Sequence, residues 1–317
     1  MRGVVVVLNL ALGLALTGCA LADDPDTTTD VDAGSVDPIA LEGISLSVGS
    51  KQFDEQLLLG QLTIQMLAAA GAEVTDDTDI QGSTATRQAL LRGDIDVYYD
   101  YTGTAWTTYL GHPSSIQDPI EQYEAVAAED RRKNGLLWGE PTAFDNRYAI
   151  AVTDEFAERT GVSTLSDMSD HLAANPGAAV CVETEFASRP DGLPGLAAAY
   201  GFALPDSTVT TVDAGGIYQQ VDSGRCDFGE VFTTDGRIRI FGLDLLVDDR
   251  GFFPPYNAAP VVRADDPAGR AMLEVLEPLT ATLTPEVMTE LNTDVSLKGL
   301  KPERVARAYL RAEAFIE

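Results

Sequence analysis

The sequence is poor in the residues that most often carry catalysis or bind metal ions. It has two histidines, His112 and His171, and three cysteines among 317 residues. The G-x-S-x-G elbow of hydrolases, the H-E-x-x-H zinc motif and the phosphate-binding P-loop are all missing. His112 lies in a Gly-His-Pro turn and His171 in a polar helical pattern, and both settings are typical of surface residues. We therefore expect no enzyme activity, no metal site and no cofactor.

Positive charge is also scarce. Lys and Arg number 21 against 50 Asp and Glu, which gives a net charge of −29. Such a surface repels phosphate, so nucleic acid is excluded as a partner. It also repels anionic lipid headgroups, so attachment to a membrane would require a covalent anchor. The acidity indicates a solvated, salt-tolerant surface, and the alternative is a field that gathers a cationic ligand.

The chain has one long hydrophobic run, and it lies at the N-terminus. Arg2 precedes the apolar stretch 4–16, which has the length of a secretory signal and is too short to span a bilayer well. The stretch is followed by Thr-Gly and then Cys19, which resembles the bacterial lipobox, in which the cysteine is diacylated and becomes the new N-terminus. Two acyl chains anchor a protein stably. We predict a signal peptide over 1–18 and lipidation at Cys19; the alternative is a plain signal peptide or a short anchor with an incidental cysteine.

The residues after this cysteine are predicted to form a tether. The run at 22–30 is acidic and short of apolar bulk, so it cannot form a core. Like charges extend such a linker. We therefore assign 19–42 to the lipidated cysteine and an acidic tether that holds the folded body away from the membrane.

Strand and helix patterns alternate from residue 44 to the C-terminus. Strands are predicted near 44–48, 95–99, 148–152, 178–182, 208–212, 227–231, 243–247 and 257–262. Helical spacing lies between them, and three helical patterns close the chain. This alternation indicates an α/β fold with parallel sheets flanked by helices. Because the alternation restarts at 148 and the chain returns near 253, we expect two hinge crossovers between lobe 1 (44–147 plus 253–317) and lobe 2 (148–252).

Aromatic and cationic residues lie where a two-lobed protein would bind its ligand. Such folds bind ligands in the cleft, at the carboxyl ends of strands. Four rings lie at strand or helix ends of this kind: Tyr101, Tyr148, Tyr218 and Phe232. Ring faces suit a quaternary ammonium, which has no N–H to donate. Lys51 and Arg189, which follow two other strands, suit a carboxylate. For any single tyrosine, ordinary packing is the alternative.

Seven segments in a fixed order point to a known family. They are VGSKQFDEQ at 48–56, RQALLRGDID at 87–96, YDYTGTA at 99–105, FDNRYA at 144–149, EFASRPDGLPGL at 185–196, DAGGIY at 213–218 and EVFTTDGRI at 230–238. This set resembles the substrate-binding lipoproteins of ABC importers for osmoprotectants such as glycine betaine, carnitine and choline. The resemblance implies a type II periplasmic-binding-protein fold. It also implies a monomer that captures a quaternary amine without chemistry and delivers it to a membrane permease.

The resemblance also implies roles for individual residues. The aromatic cage would consist of Tyr101, Tyr148, Tyr218 and Phe232, and the carboxylate contacts would be Lys51, Thr104 and Arg189. The family usually has Tyr where this chain has Phe232, which offers a ring face but no hydroxyl. Two cations favour a zwitterion, because choline would leave them buried without a counter-charge. We therefore expect glycine betaine, proline betaine or carnitine ahead of choline.

Some alternatives remain open from the residues alone. An exported compartment permits a disulfide between Cys181 and Cys226, and two buried free thiols are the alternative. A two-lobed receptor for another small solute, such as an amino acid, would require a carboxylate or carbonyls for the α-ammonium rather than a ring cage. A ligand sensor that signals to a membrane partner would have the same sequence pattern.

Overall fold

The computed structural model describes residues 31–317. Its strands in chain order are β1 (Ser45–Lys51), β2 (Glu73–Ile80), β3 (Val97–Tyr101), β4 (Leu136–Trp138), β5 (Tyr148–Thr153), β6 (Val180–Val182), β7 (Val209–Thr211), β8 (Phe228–Phe232), β9 (Leu243–Leu245) and β10 (Ala258–Arg263). They form two five-stranded sheets. The first sheet has the order β2-β1-β3-β10-β4, and the second has the order β7-β6-β8-β5-β9.

Helices fill the connections between these strands. They are α1 (Asp54–Ala69), α2 (Ser83–Arg92), α3 (Thr102–Thr104), α4 (Pro119–Asn134), α5 (Asp154–Thr160), α6 (Leu165–Ala174), α7 (Leu193–Tyr200), α8 (Ala214–Asp222), α9 (Arg237–Ile240), α10 (Gly269–Thr282), α11 (Pro285–Ser296) and α12 (Pro302–Ala312). A π-helix, Ala105–Tyr109, continues α3, and a 3₁₀ turn, Asp206–Thr208, precedes β7.

The predicted α/β class is confirmed, but the sheets are mixed rather than parallel. In the first sheet, β10 pairs antiparallel with β3 and β4. In the second sheet, β5 pairs antiparallel with β8 and β9. These two strands carry the chain from one sheet into the other. Because each enters its sheet from the side on which the neighbouring strand ends, it runs in the opposite direction.

Local sequence signals explain where several helices begin and end. The Asp118 side chain accepts hydrogen bonds from the Ile120 and Glu121 N–H groups at the start of α4, and Pro119 occupies the first helical position. The same helix ends at Gly135, whose φ of 67° is the left-handed conformation that glycine adopts at no steric cost. Thr164 caps the start of helix α6 through a reciprocal capping box with Asp167.

Helix α1 anchors one wall of the site. It begins three residues after β1 ends and is buried on almost every face, with Leu58, Leu62 and Met66 all fully buried. It packs against β1, β2, α11 and α12. Complete burial of these side chains fixes the helix in place, so its first turn, at Asp54 and Glu55, is held at the end of the first sheet.

The segment before the first strand differs from the prediction. Residues 33–42 were expected to belong to the acidic tether, but they pack against the folded body. Ala33 forms a β-bridge with Ile316. Leu41 is 1% exposed within the core, and its N–H donates to the carbonyl of Ala70 at 2.8 Å. The prediction was wrong for this stretch because Leu41 supplies the apolar bulk that the acidic run before it lacks.

The other N-terminal predictions lie outside the described residues. These are the signal peptide at 1–18, the lipidated Cys19 and the remainder of the tether up to residue 30. In the part of the chain that the structure describes, no helix is both long and apolar enough to cross a membrane.

A disulfide joins Cys181 to Cys226 in the second sheet. Cys181 lies in the middle of β6, and Cys226 lies two residues before β8, the strand that pairs with β6. Of the two alternatives that the sequence left open, the structure therefore has the disulfide. Both cysteines are buried, and neither lines the cavity.

Candidate ligand-binding site

One cavity is lined by residues from the ends of strands in both sheets. Six of the seven predicted ligand contacts line it: Lys51, Tyr101, Thr104, Tyr148, Arg189 and Phe232. Lys51 and Tyr101 end strands of the first sheet, whereas Tyr148 begins β5 and Phe232 ends β8 in the second sheet. The two sheets thus contribute opposite walls, and the ligand contacts expected from separate segments of the sequence come together in one place.

Aromatic rings from both sheets form a continuous wall in the cavity. Phe53 and Phe232 stack with ring centroids 5.5 Å apart and planes 8° from parallel. Phe53 also stacks on Tyr101, with centroids 6.1 Å apart. Tyr148 contacts Phe232 at 5.3 Å and Tyr256 at 5.4 Å. The wall therefore consists of five rings, of which Phe53 and Tyr256 were not among the predicted contacts.

Tyr218 does not line the cavity, and the prediction that it belongs to the cage is wrong for this structure. It is fully buried beneath the second sheet. The Arg237 guanidinium lies 4.7 Å from the centre of its ring, and its hydroxyl oxygen accepts a hydrogen bond from the Phe232 N–H at 3.1 Å. Tyr218 therefore supports the end of β8 rather than lining the cavity.

Lys51 is buried beside the aromatic wall and is already paired. Its ammonium group donates to the Asp100 carboxylate at 2.8 Å, and it is only 2% exposed. The same ammonium lies 4.9 Å from the centre of the Tyr101 ring. Asp100 also accepts hydrogen bonds from the Tyr98 hydroxyl and the Tyr101 N–H. This network fixes the position of Lys51 and balances its charge.

Arg189 is held by a second aspartate. Its Nε and Nη2 atoms donate to the two carboxylate oxygens of Asp191 at 2.9 and 2.6 Å, and Nη2 also donates to the Thr104 hydroxyl at 3.1 Å. Burial opposes ionisation of Asp191, but the charge and hydrogen bonds of Arg189 hold the pKa of that carboxyl below its usual value. The argument that choline would leave Lys51 and Arg189 unpaired is therefore wrong, because each has its own counter-charge.

Glu185 also lies beside these cations. Its carboxylate accepts hydrogen bonds from the Ser83 N–H and from the Ser83 hydroxyl, the latter at 2.8 Å. It also accepts a longer contact from Arg189 Nη1 at 3.3 Å. Burial opposes its ionisation, but the charges of Lys51 and Arg189 and the bonds from Ser83 lower the pKa of Glu185 below its usual value. Glu185 is therefore an ionised carboxylate in the cavity wall.

Glu55 is a buried carboxylate directly behind the aromatic wall. It accepts hydrogen bonds of 2.7–2.8 Å from four side chains: the Tyr101 hydroxyl, the Asn146 amide, the Thr234 hydroxyl and the Asn292 amide. Burial raises its pKa, while these four donors act in the opposite direction. Because Thr234 follows the second sheet and Tyr101 ends a strand of the first, Glu55 ties the two sides of the site together.

A pair of glutamates lies beneath the second sheet's side of the cavity. Glu230 on β8 is fully buried and accepts a hydrogen bond from the Glu183 N–H at 3.0 Å. Burial, and then repulsion from the Glu183 carboxylate, raise the pKa of Glu230 to about 8. Glu183 itself lines the cavity, and burial raises its pKa as well. Glu230 is therefore protonated over much of the neutral range.

The arrangement can hold an organic cation and a carboxylate at the same time. The ring wall offers π faces to the cation, and Arg189, Thr104 and Lys51 offer hydrogen-bond donors to the carboxylate beside these rings. Residues 31–317 contain no cluster of three or more His, Cys, Asp or Glu side chains placed to hold a metal ion.

Sequence patterns gave some warning of the contacts that were not predicted. Phe53 lies two residues after Lys51 in a matched segment, and Asp191 lies two residues after Arg189 in another. Asp100 precedes Tyr101 directly. Nothing local indicated Tyr256, which reaches the cavity because β10 pairs beside β3 and places the residues before it next to Tyr101 and Gly103.

Known proteins resemble this chain over most of its length. The sequence profile of the family described as the substrate-binding domain of the ABC-type glycine betaine transport system matches residues 44–312. A glycine-betaine-binding protein of Pseudomonas aeruginosa is 35% identical over 280 residues, covering 86% of this chain and 89% of that protein. A substrate-binding protein of a chemotactic signal transduction system from Halobacterium salinarum is 28% identical, covering 86% of this chain and 85% of its own.

A solved structure agrees with the fold. A crystal structure described as a glycine betaine/carnitine/choline ABC transporter matches with a TM-score of 0.68 and 25% identity, covering 86% of this chain and 98% of that one. This match confirms the type II periplasmic-binding-protein fold expected from the sequence. The chain therefore belongs to the family of extracytoplasmic substrate-binding domains of ABC-type glycine betaine transport systems, whose members bind a solute for import and are not enzymes.

Proposed function

We propose that this protein captures a zwitterionic quaternary ammonium compound and delivers it to an ABC permease. Glycine betaine, proline betaine and carnitine are favoured over choline. One observation carries this assignment: five aromatic rings and the donor group of Arg189, Thr104 and Lys51 line the same cavity. A small molecule that carries both a cation and a carboxylate would match the rings and the donors at once.

The aromatic wall would bind the trimethylammonium group of the ligand. A cation without N–H groups gains about 0.5–2 kcal/mol from each ring face once it is desolvated. Phe53 and Phe232 stack too closely, at 5.5 Å, for a group to lie between them, since that would require roughly 7–8 Å, twice the carbon contact distance. A cation that binds between these two rings therefore requires them to separate, and the walls would then close on it.

Lys51 and Arg189 can bind a ligand carboxylate even though each is already paired with an aspartate. An ammonium group has three N–H donors, so Lys51 can bind a ligand while it contacts Asp100. Arg189 uses Nε and Nη2 for Asp191 and Thr104, while Nη1 makes only the longer contact to Glu185. Nη1 is therefore the guanidinium nitrogen that a ligand carboxylate would engage.

Capture requires movement between two lobes. We assign lobe 1 to 44–147 plus 253–317 and lobe 2 to 148–252, because every strand of the first sheet lies in the former ranges and every strand of the second sheet in the latter. Hinge closure around a small molecule is the usual motion of such a fold. The ligand shifts the balance only through its extra affinity for the closed form.

Attachment to the membrane would come from the N-terminus. We propose that removal of residues 1–18 leaves a diacylated Cys19 and an acidic tether that ends before the packed segment 33–42. The folded body carries too much negative charge to adhere to anionic lipid by itself. In this arrangement the protein acts as a monomer beside its permease.

A ligand sensor is a second candidate, and the halobacterial relative favours it because that protein serves a chemotactic signalling system. Both functions use the same capture step. Deleting the partner permease separates them: an importer component would no longer support uptake of glycine betaine, whereas a sensor would still produce a response to it.

The ligand preference is tested by calorimetric titration of the protein with glycine betaine, proline betaine, carnitine, choline and glycine. We expect saturable binding of the betaines, weaker binding of choline and no binding of glycine, because glycine lacks the methylated cation that the ring wall requires. Binding of glycine alone would identify an amino-acid receptor instead.

A further inference from the structure

The Glu185 carboxylate makes a contact between the two sides of the cavity. Glu185 follows β6 of the second sheet, and Ser83 is the first residue of helix α2, which packs on the first sheet. The Ser83 N–H and hydroxyl both donate to this carboxylate. Glu185 therefore connects the two walls beside Arg189, where the ligand carboxylate is expected to bind.

The same carboxylate occupies the binding position on Arg189. Asp191 and Thr104 take the Nε and Nη2 atoms. The remaining nitrogen, Nη1, lies 3.3 Å from Glu185 Oε2. A ligand carboxylate that approached Nη1 would meet a negative charge already in place.

We propose that Glu185 is a specificity-determining residue, an internal carboxylate that competes with the ligand carboxylate for Arg189. This inference rests on the proposed function. A zwitterionic betaine must displace the Glu185 contact or bind beside a like charge, which weakens its binding. Choline has no carboxylate, so Glu185 would offer a counter-charge to its ammonium group and a hydrogen-bond acceptor to its hydroxyl. Glu185 thus reduces the difference in affinity between betaines and choline.

Glu183 provides a matched control in the same wall. It lies two residues away, it lines the cavity, and its carboxylate accepts a hydrogen bond from the Phe186 N–H at 3.0 Å. Replacing it removes a carboxyl group from the same wall but leaves the contact between Glu185 and Arg189 intact.

The test is calorimetric titration of the full-length protein and of its Glu185→Gln variant with glycine betaine and with choline. Glutamine keeps an oxygen acceptor for Ser83 but removes the charge. We expect the ratio of the choline Kd to the betaine Kd to rise about tenfold, the size of a single close charge contact in a partly buried site. Glu183→Gln should change the ratio less than threefold. Thermal melting verifies that each variant is folded.

A second variant acts in the opposite direction. Ser83→Ala removes the hydroxyl donor, so Glu185 Oε2 is free to bind Arg189 more closely, and the ratio should fall below that of the wild type. An unchanged ratio in Glu185→Gln, or an equal rise in Glu183→Gln, would overturn the proposal while leaving the betaine function intact. A wild-type protein that binds neither compound would overturn the proposed function itself, and this inference with it.

Discussion

Phe53 and Phe232 stack face to face across the cavity, with their ring centroids 5.5 Å apart. Phe53 lies between β1 and α1 of the first sheet, and Phe232 ends β8 of the second. The contact therefore joins the two walls directly. A cation bound between the rings would separate them and replace one apolar contact with two cation–π contacts, and we propose that this exchange contributes to the affinity for a quaternary ammonium.

The first prediction concerns this stacked pair. Phe53→Leu keeps most of the apolar bulk but removes a π face, so the Kd for glycine betaine should rise about 2- to 30-fold, the range of one cation–π contact. Phe252→Leu is the control, since Phe252 is also half-buried but packs on Phe253 and does not line the cavity. Calorimetry measures both. Equal affinities of the wild type and Phe53→Leu would remove Phe53 from the binding wall.

The second prediction concerns Glu230, whose pKa is raised to about 8 by burial and by the nearby Glu183, with Arg189 acting in the opposite direction. The ordinary value is 4.5. Between these two pH values the folded protein holds a proton that the unfolded chain has lost. Glu230 therefore makes the protein less stable as the pH rises from about 4.5 to 8, by at most about 1.4 kcal/mol per pH unit.

Glutamine at this position is neutral at every pH, so Glu230→Gln lacks this cost. The free energy of unfolding of Glu230→Gln minus that of the wild type should increase steadily from pH 5 to pH 8. Urea denaturation at four pH values measures the difference, and the subtraction cancels the contributions of other carboxylates. A difference that does not change with pH would show that Glu230 is ionised throughout.

The third prediction concerns the segment before β1. Leu41 is 1% exposed, so Leu41→Ala should lower the free energy of unfolding by about 2–5 kcal/mol. Ile39, two residues earlier, is 67% exposed, and Ile39→Ala should change it by less than about 0.5 kcal/mol. Denaturant titration compares the two. If both variants were as stable as the wild type, residues 33–42 would belong to the tether after all.

The fourth prediction concerns the disulfide between Cys181 and Cys226, which are 45 residues apart in sequence. Replacing both by alanine should cost about 2–4 kcal/mol of stability. The Kd for ligand should stay within about twofold, because neither cysteine lines the cavity. A reducing agent should lower the Tm of the wild type and leave that of the double variant unchanged. A large loss of affinity in the double variant would show that the disulfide also shapes the binding site.

Most of the fold was predictable because its strands alternate regularly with amphipathic helices, and every strand predicted from the sequence is present. Strand β2, Glu73–Ile80, escaped prediction because its sequence is dominated by acidic residues. It lies at the edge of the first sheet, where Asp76 and Asp77 face solvent and Val74 is buried. Edge strands tolerate such charges, and this tolerance removes the alternating apolar signal. Strand β4 has only three residues, too few to show a period.

The site was predictable as far as single segments determine it. Tyr101, Tyr148, Arg189 and Phe232 each lie at a strand end or in a loop after a strand, where topology alone directs them to the cavity. Tyr218 differs, because it lies one turn inside α8 and the helix turns its ring toward the interior. Charge balance depends on long-range contacts, such as that between Lys51 and Asp100, which no local pattern reveals.

The central claim is that one cavity recognises a cation with its rings and a carboxylate with Arg189. It is tested most directly by titrating glycine betaine and choline into the wild type, Tyr148→Ala and Arg189→Lys. Lysine keeps a positive charge beside Asp191 but cannot present a guanidinium fork. We predict that Tyr148→Ala weakens binding of both compounds, whereas Arg189→Lys weakens glycine betaine about tenfold and leaves choline within about twofold. Equal losses for both compounds in Arg189→Lys, or undiminished binding in Tyr148→Ala, would contradict the account.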